Sequence, residues 1–153
     1  MAYAKDTTIP VERSLSEIVA MLRKSGASRV AQMQGDDLFE IQFAMLDRAI
    51  RFRVRLPTWQ EMPEYDGRRS LLAQDKRIAM ADQVARQRAR ALMLVVKAKL
   101  ESVESEVETF EQAFLANVVM SDGMTLYERV SEPIALEYKS GRSDVLLLGG
   151  PAP

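Results

Sequence analysis

Three arginines, Arg51, Arg53 and Arg55, alternate with apolar residues in the stretch RAIRFRVRLP at positions 48–57. In an extended strand, alternate side chains share one face and stand about 6.6 Å apart at 3.3 Å rise per residue. That is close to the phosphate spacing of an extended single strand of nucleic acid, so backbone recognition of a polyanion is the chemistry this spacing could do. The competing reading is a solvated sheet face on which Arg55 pairs with Glu40. A second set, Arg86, Arg90 and Lys97, is separated by four and seven residues and falls on one stripe of a helical segment. Seven basic residues stand against Asp82 alone from Lys76 to Lys99, whereas Glu101 to Glu111 holds five glutamates and no base. The helix macrodipole favours the reverse order. Such segregation is expected where an anionic ligand sits at the basic half, or where subunits attract head to tail; a solvated helix face is the alternative.

Other chemistry is restricted by what the chain lacks. Histidine and cysteine are absent, which removes the commonest general base, the thiol nucleophile, disulfides and the usual transition-metal ligands. Asp37, Glu40 and Gln42 loosely suggest a divalent-ion site. Asp37 and Glu40 are three apart, however, and project from opposite faces of a strand, where a metal needs converging oxygens. No catalytic residue, metal site or cofactor is therefore expected, and the chain reads as a non-enzyme. Trp59 and Tyr65 could stack on bases or fold over the sheet edge. The nine methionines read mostly as core filler.

These residues need elements to position them. At 153 residues, 47% hydrophobic and 28% charged with a net charge of −1, the chain suits one α+β domain spanning 1–153. Residues 1–9 are expected as a flexible N-terminus and 142–153 as a C-terminal tail whose apolar DVLLL stretch could dock on the domain or a neighbour. VERSLSEIVAMLRKSG spaces Val11, Leu15, Ile18 and Leu22 as one amphipathic helix stopped by Gly26. Two or three short strands follow, turning at Gly35-Asp36-Asp37 and again at Asp47-Arg48. A hairpin centred on the second turn pairs Ile50 with Met45, Phe52 with Phe43, Val54 with Ile41 and Leu56 with Phe39. It sets Arg51, Arg53 and Arg55 against Ala44, Gln42 and Glu40. Residues 57–74 form a long loop. The stretch Asp75–Glu108 holds neither Gly nor Pro and carries an apolar seam through Ile78, Ala85, Ala89, Leu92, Val96, Leu100, Val103 and Val107. As one helix it would extend about 50 Å, so part of it should project, break or meet another chain. Capping boxes at Thr109–Gln112 and Thr125–Glu128 open two further helices, the second bent or interrupted at Pro133. The expected fold is a three-stranded antiparallel β-meander packed against an N-terminal helix and one long helix, with a C-terminal helical pair.

RQRARALMLVVKAKLESVE and the following TFEQAFLANVVMSDGMTLYE resemble a family of small proteins carried by bacteriophages, prophages and other bacterial mobile elements. The likeness runs from VERSLSEIVAMLRKSGA through RAIRFRVRLP to the C-terminus and carries no biochemical activity with it. It implies DNA transactions, assembly or defeat of host defences as the functional classes. The order helix, meander, long basic helix also resembles in outline the core of Rad52-like single-strand annealing proteins, which implies DNA held between hairpin and helix and assembly into rings. The expected function is thus an oligomeric, single-stranded nucleic-acid-binding protein, with Arg51, Arg53, Arg55, Arg86, Arg90 and Lys97 contacting phosphates. A phage-encoded inhibitor or adaptor that binds a host protein comes second, and a structural or scaffold role third. No apolar run reaches the ~18 residues of a membrane span, and the start lacks a secretory leader, so no membrane partner and a cytoplasmic location, that of the bacterial host if phage-encoded, are expected.

Overall fold

The computed structural model describes residues 3–142. Helix α1 (Val11–Lys24) leads into strands β1 (Ser28–Gln34), β2 (Leu38–Met45) and β3 (Arg48–Arg55), a 3-10 turn at Trp59–Glu61, the long helix α2 (Gln74–Glu104), the short α3 (Phe110–Phe114) and α4 (Leu126–Ser140). The strands form one antiparallel sheet in chain order, β1-β2-β3. This is the α+β meander with covering helices that the sequence predicts.

The period of two in β2 and β3 decides the packing. Phe39, Ile41 and Phe43 pair across to Val54, Phe52 and Ile50, and α1 covers this apolar face with Leu15, Ile18 and Leu22 while α2 covers it with Ala89, Leu92, Met93 and Val96. Each of these buried side chains other than Ala89 contributes roughly 1.5–3 kcal/mol of transfer free energy. Phe114 closes the end of this core. Its ring meets Phe43 and Phe52 edge-on at 6.0 and 6.2 Å and tilts against Phe110 at 4.9 Å. Thr109 aims it by capping α3 reciprocally with Gln112.

The hairpin register differs from expectation by two residues. Leu46 and Asp47, not Asp47 and Arg48, occupy the turn centre, both at positive φ (47° and 61°), so Arg53 lies opposite Glu40 and Arg51 opposite Gln42. Two positive φ values give the primed turn whose twist matches that of the strands. An even shift leaves every side chain on its expected face, so the core matches the expectation while the cross-strand partners differ.

Other expectations also change. Helix α2 stops at Glu104, where Ser105 caps it and Glu106 turns left-handed (φ 57°); the seam is buried only from Ala89 to Val96, and Val107 lies outside the helix, exposed. The first member of the C-terminal pair is a five-residue helix followed by a 3-10 turn at Leu115–Asn117. It is cut short because Val118 bridges to Ile50. Helix α4 runs through Pro133 without interruption. A capping box at Thr125 and a left-handed Gly141 fix its two ends. Residues 3–9 are not a loose lead-in: Ala4 is buried, and the Gln83 amide donates to the carbonyls of Lys5 and Thr7. The expected DVLLL docking segment lies outside the described residues.

The two sheet edges differ. On β3 the outward carbonyls of Ala49, Arg51 and Arg55 accept from the Val119 N–H, the Asn117 amide and the Arg88 guanidinium. On β1, no segment among the described residues pairs with the outer edge.

Candidate functional site

Strand alternation places Arg51, Arg53 and Arg55 on the sheet face opposite the core, beside Glu40 and Gln42 of β2. Acids from three directions meet them there. Arg51 donates to Glu128 of α4 at 2.8 Å, and only 12% of its side chain remains exposed. Arg53 donates through Nε to Glu40 at 2.7 Å and lies 3.9 Å from Glu128. Arg55 pairs with Glu61 of the 3-10 turn. The same Glu128 oxygen accepts the Thr125 N–H at 2.7 Å, so the carboxylate that caps α4 also gathers the central arginine.

These contacts hold the carboxylates below their ordinary range. For Glu128 the Thr125 N–H does most, with Arg51 adding to it against partial burial. Burial is the largest single influence on Glu40 and pushes its carboxyl up, but hydrogen bonds from Arg53 and Gln42 together with the charges of Arg53 and Arg51 outweigh it. Glu61 is lowered chiefly by Arg55. The arginine face is therefore an internally neutralised ion-pair network.

The helical set lies elsewhere. Arg90 donates to Glu17 of α1 at 2.5 Å, which lowers the Glu17 carboxyl. Arg86 donates to Gln83 on its own helix, and Lys97 is exposed. The expected common basic cleft between hairpin and helix is not formed. Helix α2 packs on the apolar face of the sheet, and the strand arginines necessarily take the other face, so the sheet stands between the two groups.

The charge segregation of α2 has an internal cause that the sequence did not reveal. Its basic half spends donors on carbonyls of chain packed alongside. Arg77 reaches the carbonyls of Gln60 and Met62 and stacks 5.2 Å over the Trp59 ring. Arg88 reaches the Arg55 carbonyl and Lys99 that of Ala113 at the end of α3. Trp59 is thereby occupied, whereas Tyr65 is exposed. Gln42 donates to Glu40, which is already bonded to Arg53, and among the described residues no group of three acids, histidines or cysteines could hold a metal ion. No helix among them is long and apolar enough to cross a membrane.

The structure brings out a surface that was not anticipated. Helix α4 buries none of its residues and exposes Tyr127 (64%), Ile134 (40%) and Tyr138 (88%), spaced seven and four apart on one stripe. That spacing is visible in the sequence, but by itself it reads as a core-facing stripe. Comparison with known proteins adds nothing to the site: no family model, no curated protein and no solved structure matches the chain.

Proposed function

We propose that the chain is a non-catalytic protein-binding domain, an adaptor or inhibitor, that presents α4 to a groove on another protein. The observation that supports this best is the aromatic and aliphatic stripe Tyr127–Ile134–Tyr138 on a helix whose polar tethers among the described residues lie in its first turn, through Glu128 to Arg51, Arg129 to Asp122 and Leu126 to the Val118 carbonyl. Large amphipathic rings with few rotatable bonds are the usual anchors of such helix-in-groove contacts. The neutralised arginines support the same reading over polyanion binding, because a phosphate would have to displace a bonded carboxylate at each of the three strand positions. In the phage or mobile-element setting that the resemblance implies, the partner is a bacterial host protein of a defence or DNA-processing complex.

The test is paired. The full chain, carrying a photo-crosslinker at Tyr127, is incubated in nuclease-treated bacterial lysate alongside Ile134→Asp and Tyr138→Asp versions. One discrete crosslinked protein, lost in both variants, is expected. In parallel, fluorescence anisotropy with single-stranded oligonucleotides is expected to show no salt-sensitive binding. Tight binding at low salt that weakens in Arg51→Gln and Arg53→Gln would return the function to nucleic acid.

A further inference from the structure

The outer edge of β1, with which no described segment pairs, is suited to pairing, and its surroundings say with what. Gly35 N–H bonds the Leu38 carbonyl, and in an antiparallel ladder bonded pairs alternate. Met33 and Ala31, opposite Glu40 and Gln42, therefore turn their backbone groups toward β2, while Gln32 and Gln34 turn theirs outward. From Ala31 to Gln34 the edge lacks the usual protections, its bulge and its charge being confined to the strand's start. β1 contains no proline and no lysine, and its one charge, Arg29, sits at positive φ (50°) beside the bulge at the strand's start.

Beneath the edge, on the core side, a groove of about 390 Å³ runs between β1 and α1, lined by Ser16, Val19, Ala20, Arg23, Val30 and Gln32. A strand added to β1 would lay its inward side chains in this groove.

We propose that a second copy of this chain fills the site: β1 pairs antiparallel with β1 of the second copy across a two-fold axis at Gln32, giving a continuous six-stranded sheet. The face of α1 over the groove is self-complementary under that operation. Glu12, Ser16, Val19 or Ala20, and Arg23 follow one another at helical spacing on a single stripe, acid at one end and base at the other. Neither Glu12 nor Arg23 has an ion-pair partner among the described residues. Antiparallel apposition sets Glu12 of each copy against Arg23 of the other, while the small side chains of Ser16 and Ala20 let the helices approach.

The two elements agree on where the axis lies. Gln32 is about 13 Å along β1 from Ser28 at 3.3 Å per residue. The midpoint between Ser16 and Val19 is about 10 Å along α1 from Lys24 at 1.5 Å per residue. Both centres are thus at a similar height above the α1–β1 turn. The contact is independent of the partner proposed for α4, and its isologous symmetry closes at two copies.

Sedimentation velocity on the full chain is expected to show a concentration-dependent dimer and nothing larger. Gln32→Pro removes only an outward donor and is expected to leave a folded monomer by circular dichroism. Should it fail to fold, the charge pair decides. Arg23→Glu or Glu12→Arg alone is expected to weaken the dimer more than about tenfold, because like charges then face each other twice, and the double exchange is expected to restore it. A wild-type monomer at every concentration would overturn the proposal, as would a monomer that instead pairs its edge with an added extended peptide. A dimer indifferent to both the proline and the charge reversals, or a ring or filament, would overturn it too.

Discussion

Arg51 and Glu128, 77 residues apart in sequence, meet at 2.8 Å on the polar face of the sheet and join β3 to the first turn of α4. The pair is half-shielded, and Glu128 is at the same moment the reciprocal cap of Thr125. Loss of Arg51 therefore removes one link between the helix and the sheet without uncapping the helix. Arg51→Gln is expected to cost about 1–2 kcal/mol in urea denaturation, whereas Arg55→Gln, whose pair with Glu61 stands in solvent, should leave the midpoint unchanged. If the two variants proved equally costly, the assignment of Arg51 to a structural role would be wrong.

Acid should destabilise the fold in a defined window. Glu17, Glu40 and Glu128 titrate below their ordinary value of 4.5 in the folded chain. As pH falls past that value the unfolded chain takes up protons first, so stability present above about pH 4.5 is lost as pH falls through the folded values. Glu40→Gln is expected to flatten the slope of unfolding free energy against pH between about 5 and 3. An unchanged slope would mean that Glu40 is not held by Arg53 in solution.

Phe114 touches Phe43, Phe52 and Phe110 and is fully buried. Phe114→Ala should cost about 3–5 kcal/mol by thermal or chemical denaturation. Leu115→Ala next to it, half-exposed, should be close to neutral, and the contrast checks that α3 is docked by its second aromatic residue.

At the β2–β3 turn, Leu46 is 70% exposed and carries φ 47°, a conformation that costs a branched side chain about 1–2 kcal/mol. Replacing Leu46-Asp47 by Asn-Gly is expected to stabilise the protein by about 1 kcal/mol. Destabilisation would show that the Leu46 side chain makes a contact in solution.

The sequence carried the architecture well for a physical reason. Periods of two and 3.6 report faces, and faces survive a register shift of two residues, so the sequence places Phe39, Ile41, Phe43, Ile50 and Phe52 in the core but does not specify their partners. Turn chemistry misled because Leu-Asp is not a residue pair that advertises positive φ. The arginines of β3 were visible, but their acids were not: Glu61 lies in a loop and Glu128 some 75 residues away, joined by tertiary packing that no local spacing encodes. Helix α2 shows the same limit. Arg90 of its basic stripe is bonded to Glu17, 73 residues away on α1, and the carbonyls that accept from its other bases, Arg77, Arg88 and Lys99, leave no mark in a string of side-chain letters.

The occupied carbonyls along β3 bear on how this protein tolerates crowding. Ala49, Arg51 and Arg55 present oxygens already spoken for, so a strand approaching β3 would have to displace those contacts before it could pair. Under the proposed pairing the β1 edge is used up, and a third molecule meets the obstructed β3 edge, which opposes the edge-to-edge growth that turns open meanders into fibrils.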